Sequence, residues 1–89
     1  MVELAGGPPV SMTRVEVEYC VPCGMANRAV DVSRAILTQF GESIAEAALV
    51  TGDDGIFVVR VDGTVVFDLS EDTYDVDAIV RAVRPHISL

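Results

Sequence analysis

Arg14-Val15-Glu16-Val17-Glu18-Tyr19-Cys20-Val21-Pro22-Cys23-Gly24 decides how the rest of this chain is read. Its first six residues alternate polar and apolar, the period of a half-buried strand. Cys20-Val21-Pro22-Cys23 follows at once, and a helical pattern begins about Cys23 or Gly24 and runs to Phe40. Ala26, Ala29, Val30, Ser33, Ile36, Leu37 and Phe40 fall on one predicted apolar stripe, while Asn27, Arg28, Asp31, Arg34 and Thr38 take the other side. Asp31 and Arg34, three residues apart, are placed to pair weakly, and Gly41 is a natural stop.

Beyond the helix, Ile44 to Val50 is short and bounded by β-branched residues, which favours a strand despite its alanines. Gly52-Asp53-Asp54-Gly55 reads as a turn, and Ile56 to Val61 is the strongest strand pattern in the chain. Asp62-Gly63 supplies a two-residue hairpin turn leading to a returning strand, Thr64 to Asp68. Asp75 is a suitable N-cap for a last helix carrying Val76, Ile79, Val80, Val83 and Ile87 on one stripe, and Pro85 ends or kinks it near Arg84. The order is β-α-β-β-β-α. A first parallel crossover followed by an antiparallel hairpin gives a mixed four-stranded sheet with both helices packed on it, a two-layer α/β fold. Residues 1–11 contain Gly6-Gly7-Pro8-Pro9 and are read as a flexible tail, leaving one domain over 12–89.

The chain has 89 residues and a formal net charge of −8, from fourteen acidic residues against six basic ones, all arginine. An acid excess without lysine suits a very salty cytosol, where self-repulsion is screened; a bias towards arginine over lysine is the competing explanation. Either way nucleic acid and anionic membranes are poor partners. The start has no basic, then apolar, run of a signal peptide, and no stretch approaches the length of a membrane span. A cytoplasmic protein is expected, and in that reducing compartment two neighbouring cysteines point to redox or metal chemistry rather than to a structural bridge.

The two-residue spacer between Cys20 and Cys23 lets the sulfurs reach bonding distance where a strand turns into a helix. Free N–H groups and the positive dipole end of the helix favour thiolate, the form that attacks a disulfide or peroxide. Pro22 presets a helical φ, and Gly24 removes bulk beside Cys23. A Cys-x-x-Cys at a β-α junction within a βαβ pattern is the setting of a thioredoxin-like redox site. Structural zinc or an iron–sulfur cluster needs four ligands, and His86, the sole histidine, lies far along the chain where an exposed helix end is expected. Bound Cu(I) on two soft thiolates, with Met25 nearby, is the alternative chemistry. Net acidity opposes the thiolate, and Arg28 is placed to offset it locally, although an ordinary exposed arginine is the plainer expectation. Tyr19 is read as core or as cover for the site; Asp53-Asp54 and Glu71-Asp72 are read as solvated turns.

Three stretches together resemble the Rdx family, which includes selenoproteins W, T and H and cysteine-containing prokaryotic relatives. They are Val15 to Gly24, similar to the family's strand–Tyr-Cys-x-x-Cys/Sec-Gly start; Gly55-Ile56-Phe57-Val58-Val59-Arg60-Val61-Asp62-Gly63-Thr64-Val65-Val66, similar to its hairpin; and the final amphipathic helix. The resemblance implies a thioredoxin-like fold and a small thiol–disulfide oxidoreductase, reducing disulfides or peroxides with glutathione or protein-thiol partners, with Cys20 and Cys23 as the catalytic pair. Selenocysteine occupies the position of Cys23 in selenium-containing members, which implies that Cys23 reacts and Cys20 resolves; thioredoxins proper use the first cysteine, so the roles stay open. The chain departs from the family over Asp68 to Asp75, where basic and Phe-Pro elements are replaced. The second reading is a Cu(I) or Zn(II) carrier module using the same pair, against which stand Tyr19 before Cys20 and a helix as the last element. A third is a small interaction protein whose thiols sense oxidation. No resident cofactor is implied, and a monomer or weak homodimer is expected.

Overall fold

The structure, a computed structural model, describes residues 13–87. The expected tail and the start of the expected domain, residues 1–12, lie outside the described residues, as do 88–89. The elements follow the predicted order: β1 (Arg14–Cys20), α1 (Ala26–Phe40), β2 (Glu46–Gly52), β3 (Phe57–Val61), β4 (Thr64–Asp68) and α2 (Val76–Val83). The sheet order is β2-β1-β3-β4. β1 is central, parallel to β2 from Arg14↔Glu46 to Cys20↔Gly52 and antiparallel to β3 from Val15↔Val61 to Tyr19↔Phe57. β3 and β4 form the antiparallel hairpin, with a register shift at Val59/Arg60. Asp62 and Gly63 have φ of 52° and 85°, the paired left-handed conformation that a two-residue hairpin requires.

One face of the sheet is dry. Val15, Val17, Phe57, Val59, Val61 and Phe67 meet Ala29, Val32, Ile36 and Phe40 of α1 and Ile79, Val80 and Val83 of α2 in one buried cluster. The opposite face carries charge: Arg14 pairs with Glu16 at 2.9 Å and Glu46 at 2.8 Å, and Arg60 with Glu18 at 3.0 Å. Asp75 caps α2, its Oδ1 accepting from Ala78 N at 3.2 Å. The far ends of the helices meet where the Arg84 guanidinium stands 5.2 Å over the Phe40 ring. α2 gives way to a 3-10 turn over Arg84–His86, where Pro85 was expected to break it.

Four details differ from the sequence reading. α1 starts at Ala26, two to three residues late, because the chain spends Val21 to Gly24 in a turn. Its buried stripe is Ala29, Val32, Ile36 and Phe40, so Val30 and Leu37 lie outside the core, 39% and 49% exposed. The apolar arc of α1 is wider than the sheet beneath it, and the residues that overhang the β2 edge stay in solvent. β2 is displaced by two residues, taking in Thr51 and Gly52, because its partner β1 extends to Cys20. Finally, α1 does stop at Phe40, but Gly41 keeps right-handed φ and ψ of −56° and −31° and tightens into a 3-10 turn over Gly41–Ser43.

Candidate redox site

β1 ends at the site and its last residue is held from both sides. Cys20 N donates to Ile56 O at 2.7 Å, and Val21 N donates to Gly52 O at 3.0 Å. The chain then reverses over Val21-Pro22-Cys23-Gly24, closed by Gly24 N donating to Val21 O at 3.1 Å. Pro22 takes the second position of this turn, where its fixed φ is favourable. Gly24 has φ +74°, and a Cβ there would meet nothing within 4 Å, so glycine serves backbone conformation. Met25 N reaches back to Cys20 O at 3.4 Å, after which α1 begins.

This loop brings the two sulfurs to 2.07 Å, with the α-carbons 5.3 Å apart. The pair is asymmetric: Cys20 is 0% exposed, whereas Cys23 is exposed. Cys20 is thus closed to a molecule arriving from solvent, whereas Cys23 stands in the exposed part of the turn. The helix that follows has no side-chain cap and no acidic residue in its first turn. Its own residues leave its positive end uncompensated, although Cys23 precedes that first turn instead of opening it.

A shallow groove lined by Glu18, Val21, Thr51, Gly52 and Asp53 runs along one side of the turn. Gly52 is essential to its shape, because a Cβ there would lie 2.7 Å from Ile56 Cγ2 and 2.9 Å from Glu18 Oε2. On the helix side, Arg28 is occupied: its guanidinium lies 4.9 Å over the Tyr74 ring, and Tyr74 Oη donates to Arg28 O at 3.3 Å. Tyr74 in turn stands edge-on to Phe57, with centroids 5.8 Å apart. Burial pushes the Tyr74 hydroxyl above its ordinary pKa, Asp31 adds to the rise and Arg28 opposes it.

The other singled-out residues fall as follows. Tyr19 and Met25 are partly buried against the core cluster. His86 is exposed in the 3-10 turn after α2. Asp31 and Arg34 pair at 3.7 Å on the surface of α1. Asp53, Asp54, Glu71 and Asp72 are exposed turn residues, Asp54 with φ 57°. Among the described residues no three His, Cys, Asp or Glu side chains gather as a metal site, and no helix is long and apolar enough to cross a membrane. Sequence reasoning misses Gly52, which reads as a turn residue, and Tyr74. The register Cys20↔Gly52 was the missing signal for the first; an aromatic just before an N-cap was a weak one for the second.

The model of the Rdx family matches residues 14–85. Migration and invasion enhancer 1 of Bos taurus is 31% identical over 74 residues, covering 80% of this chain and 62% of that protein. The chain thus spans less than two thirds of that relative's length. A crystal structure of a protein from Bordetella parapertussis superposes with a TM-score of 0.78 at 27% identity, covering 84% of this chain and 98% of the other. A selenoprotein W-related protein from Vibrio cholerae gives the same TM-score at 23% identity, covering 86% and 99%, and carries the likeness of fold alone.

Proposed function

We propose that this chain, which belongs to the Rdx family, is a small cytoplasmic thiol–disulfide oxidoreductase in which Cys23 exchanges with the substrate and Cys20 resolves the mixed disulfide. The observation that carries the reading is the unequal exposure of the two cysteine residues, whose sulfurs are at bonding distance. In the reduced protein the Cys23 thiolate attacks one sulfur of a substrate disulfide. A bond forms to Cys23 Sγ, the substrate S–S bond breaks, and the other substrate sulfur leaves as a thiolate that takes up a proton. Cys20, having lost its proton, then attacks Cys23 Sγ. The Cys20–Cys23 bond forms, the second substrate thiol is released, and two electrons have passed from the protein to the substrate. Glutathione or a protein dithiol restores the pair by the reverse exchange. The held backbone of Cys20 keeps the resolving sulfur within reach, while the exposed turn lets Cys23 meet a bulky partner.

The test is trapping. Cys20→Ser, treated with oxidised glutathione or a protein disulfide, is expected to accumulate a mixed disulfide at Cys23, read by intact mass. Cys23→Ser is expected to react far more slowly through its buried thiol. Equal trapping by the two variants would overturn the assignment of roles. Stoichiometric Cu(I) retention in oxidised buffer, with no internal disulfide formed, would overturn the redox reading itself.

A further inference from the structure

We propose that the protein associates as a two-fold dimer through antiparallel pairing of β2 with β2 of a second copy, centred on Leu49. β2 is an edge strand, bonded to β1 along all seven residues and unpaired on its outer side among the described residues. Natural edges are blunted by charge, proline, bulges or shortness. The sequence Glu46-Ala47-Ala48-Leu49-Val50-Thr51-Gly52 has one charge, at its first residue, no proline, and an unbroken register with β1. The other edge is protected: β4 has five residues and a register shift.

A second observation lies beside that open edge. Leu49 points to the helix side of the sheet yet is 45% exposed, and with Val30 and Leu37 of α1 it lines an apolar groove along the edge. Val30 and Leu37 are two helical turns apart, about 10 Å along α1. Between them the Ser33 hydroxyl is shielded from solvent and has no hydrogen-bond partner within the protein.

An open edge beside an apolar groove calls for a strand as its occupant, and the molecule's own asymmetry selects which. Pairing of β2 with β4 of the next copy would be head-to-tail and would have to use the bulged edge. Pairing of β2 with β2 closes on itself and leaves both blunted edges outermost. Centred on Leu49, it sets Leu49 against Leu49, Ala48 against Val50 and Glu46 against Gly52. The two Glu46 carboxylates then lie about six strand positions apart, roughly 20 Å, which is beyond the Debye length at physiological salt. The two-fold axis stands normal to the sheet, so both helix layers share one side and the two grooves face each other. Each copy carries a charge of −8, so association strengthens as salt screens the repulsion.

Sedimentation of the full chain, over a concentration series at low salt and at about 2 M KCl, tests this. A dimer whose Kd falls with salt and is indifferent to dithiothreitol is expected. Leu49→Glu acts twice in a two-fold interface and is expected to weaken Kd by about a hundredfold. Leu49 lies outside the core, so an unchanged circular dichroism spectrum is expected alongside. Hydrogen exchange on the unmodified chain supplies the second reading: alternate amides of β2 are expected to slow with rising concentration. A monomer under every condition overturns the proposal. So does a dimer lost on reduction, a dimer indifferent to Leu49→Glu, or one that leaves the β2 amides unprotected.

Discussion

Replacing Tyr74 is the perturbation that most directly probes how the start of α1 is anchored to the sheet beside the cysteine turn. Tyr74 bridges the sheet and the start of α1 by three contacts: the edge-on Phe57 ring, the overlying Arg28 guanidinium and the Arg28 carbonyl. An edge-to-face pair contributes about 0.5–1.5 kcal/mol. A cation over a ring at an exposed site adds about 0.5–1 kcal/mol, and a neutral hydrogen bond, here a long one, about 0.5–1 kcal/mol. Tyr74→Ala is therefore expected to cost about 1.5–3.5 kcal/mol, a large share of the roughly 5–10 kcal/mol that holds a domain of this size. Tyr74→Phe keeps both ring contacts and is expected to cost under about 1 kcal/mol. Urea unfolding of the reduced protein, monitored by circular dichroism, measures both, with the alanine variant's midpoint falling by roughly 1–2 M for an m of about 1.5 kcal/mol/M. A cycle with Arg28→Ala should show a coupling of about 0.5–1.5 kcal/mol. Equal costs for the two Tyr74 variants, or an alanine cost below about 0.5 kcal/mol, would refute the anchoring argument.

Other outcomes follow from the same geometry. Ile36→Ala, in the buried stripe of α1, is expected to cost about 2–5 kcal/mol, whereas Leu37→Ala one position on should cost under about 1 kcal/mol; thermal melts separate them. Gly24→Ala forces a side chain into left-handed backbone and is expected to cost about 1–2 kcal/mol. Gly52→Val drives methyl groups into Ile56 and Glu18, with an expected cost of about 1–3 kcal/mol and a faster exchange of the Val21 amide, which nuclear magnetic resonance reads. The Tyr74 hydroxyl has a raised pKa in the folded protein, so its contribution is full below the unfolded tyrosine value and is lost as pH climbs through the higher folded one; Tyr74→Phe should flatten that part of the alkaline limb of stability. Asp68 has the opposite sign. Its carboxylate accepts from the Ser70 hydroxyl at 2.7 Å and from Ser70 N at 2.9 Å, which lower its pKa, so its stabilisation is present above the unfolded aspartate value and disappears as pH falls through the folded one. Ser70→Ala should shrink that acid-side loss in a pH series of denaturation curves.

Element order and pairing were legible because the deciding signals were local. Asp62-Gly63 forces a tight hairpin, and β4 runs over the predicted Thr64–Asp68. The closeness of Cys20 and Cys23 was legible from their two-residue spacer where a strand turns towards a helix. What escaped depended on neighbours distant in sequence. Val30 and Leu37 are as apolar as Val32 and Ile36, and periodicity cannot say which half of a wide arc will find a sheet beneath it; the sheet ends at β2, and that decides. The boundaries of β2 were obscured by alanines that suit helix and strand alike, and its true end is set by pairing with Cys20. The unequal exposure of Cys20 and Cys23 has the same origin. Cys20 is buried at the end of a strand whose flanking backbone, at Gly52 and Ile56, arrives from far along the chain, and no property of a Cys-x-x-Cys stretch encodes that arrival.

The central place of β1 governs the order in which the chain can assemble. Its parallel partner lies 32 residues downstream at Arg14↔Glu46, and its antiparallel partner 46 residues downstream at Val15↔Val61. Neither can form while β1 alone has left the ribosome, and closing such distant contacts is slow compared with making a helix. The carbonyl that pins Cys20 belongs to Ile56. A nascent chain shorter than that presents both thiols to its surroundings, so the sulfur that the mature fold protects best is one of its most vulnerable groups during synthesis.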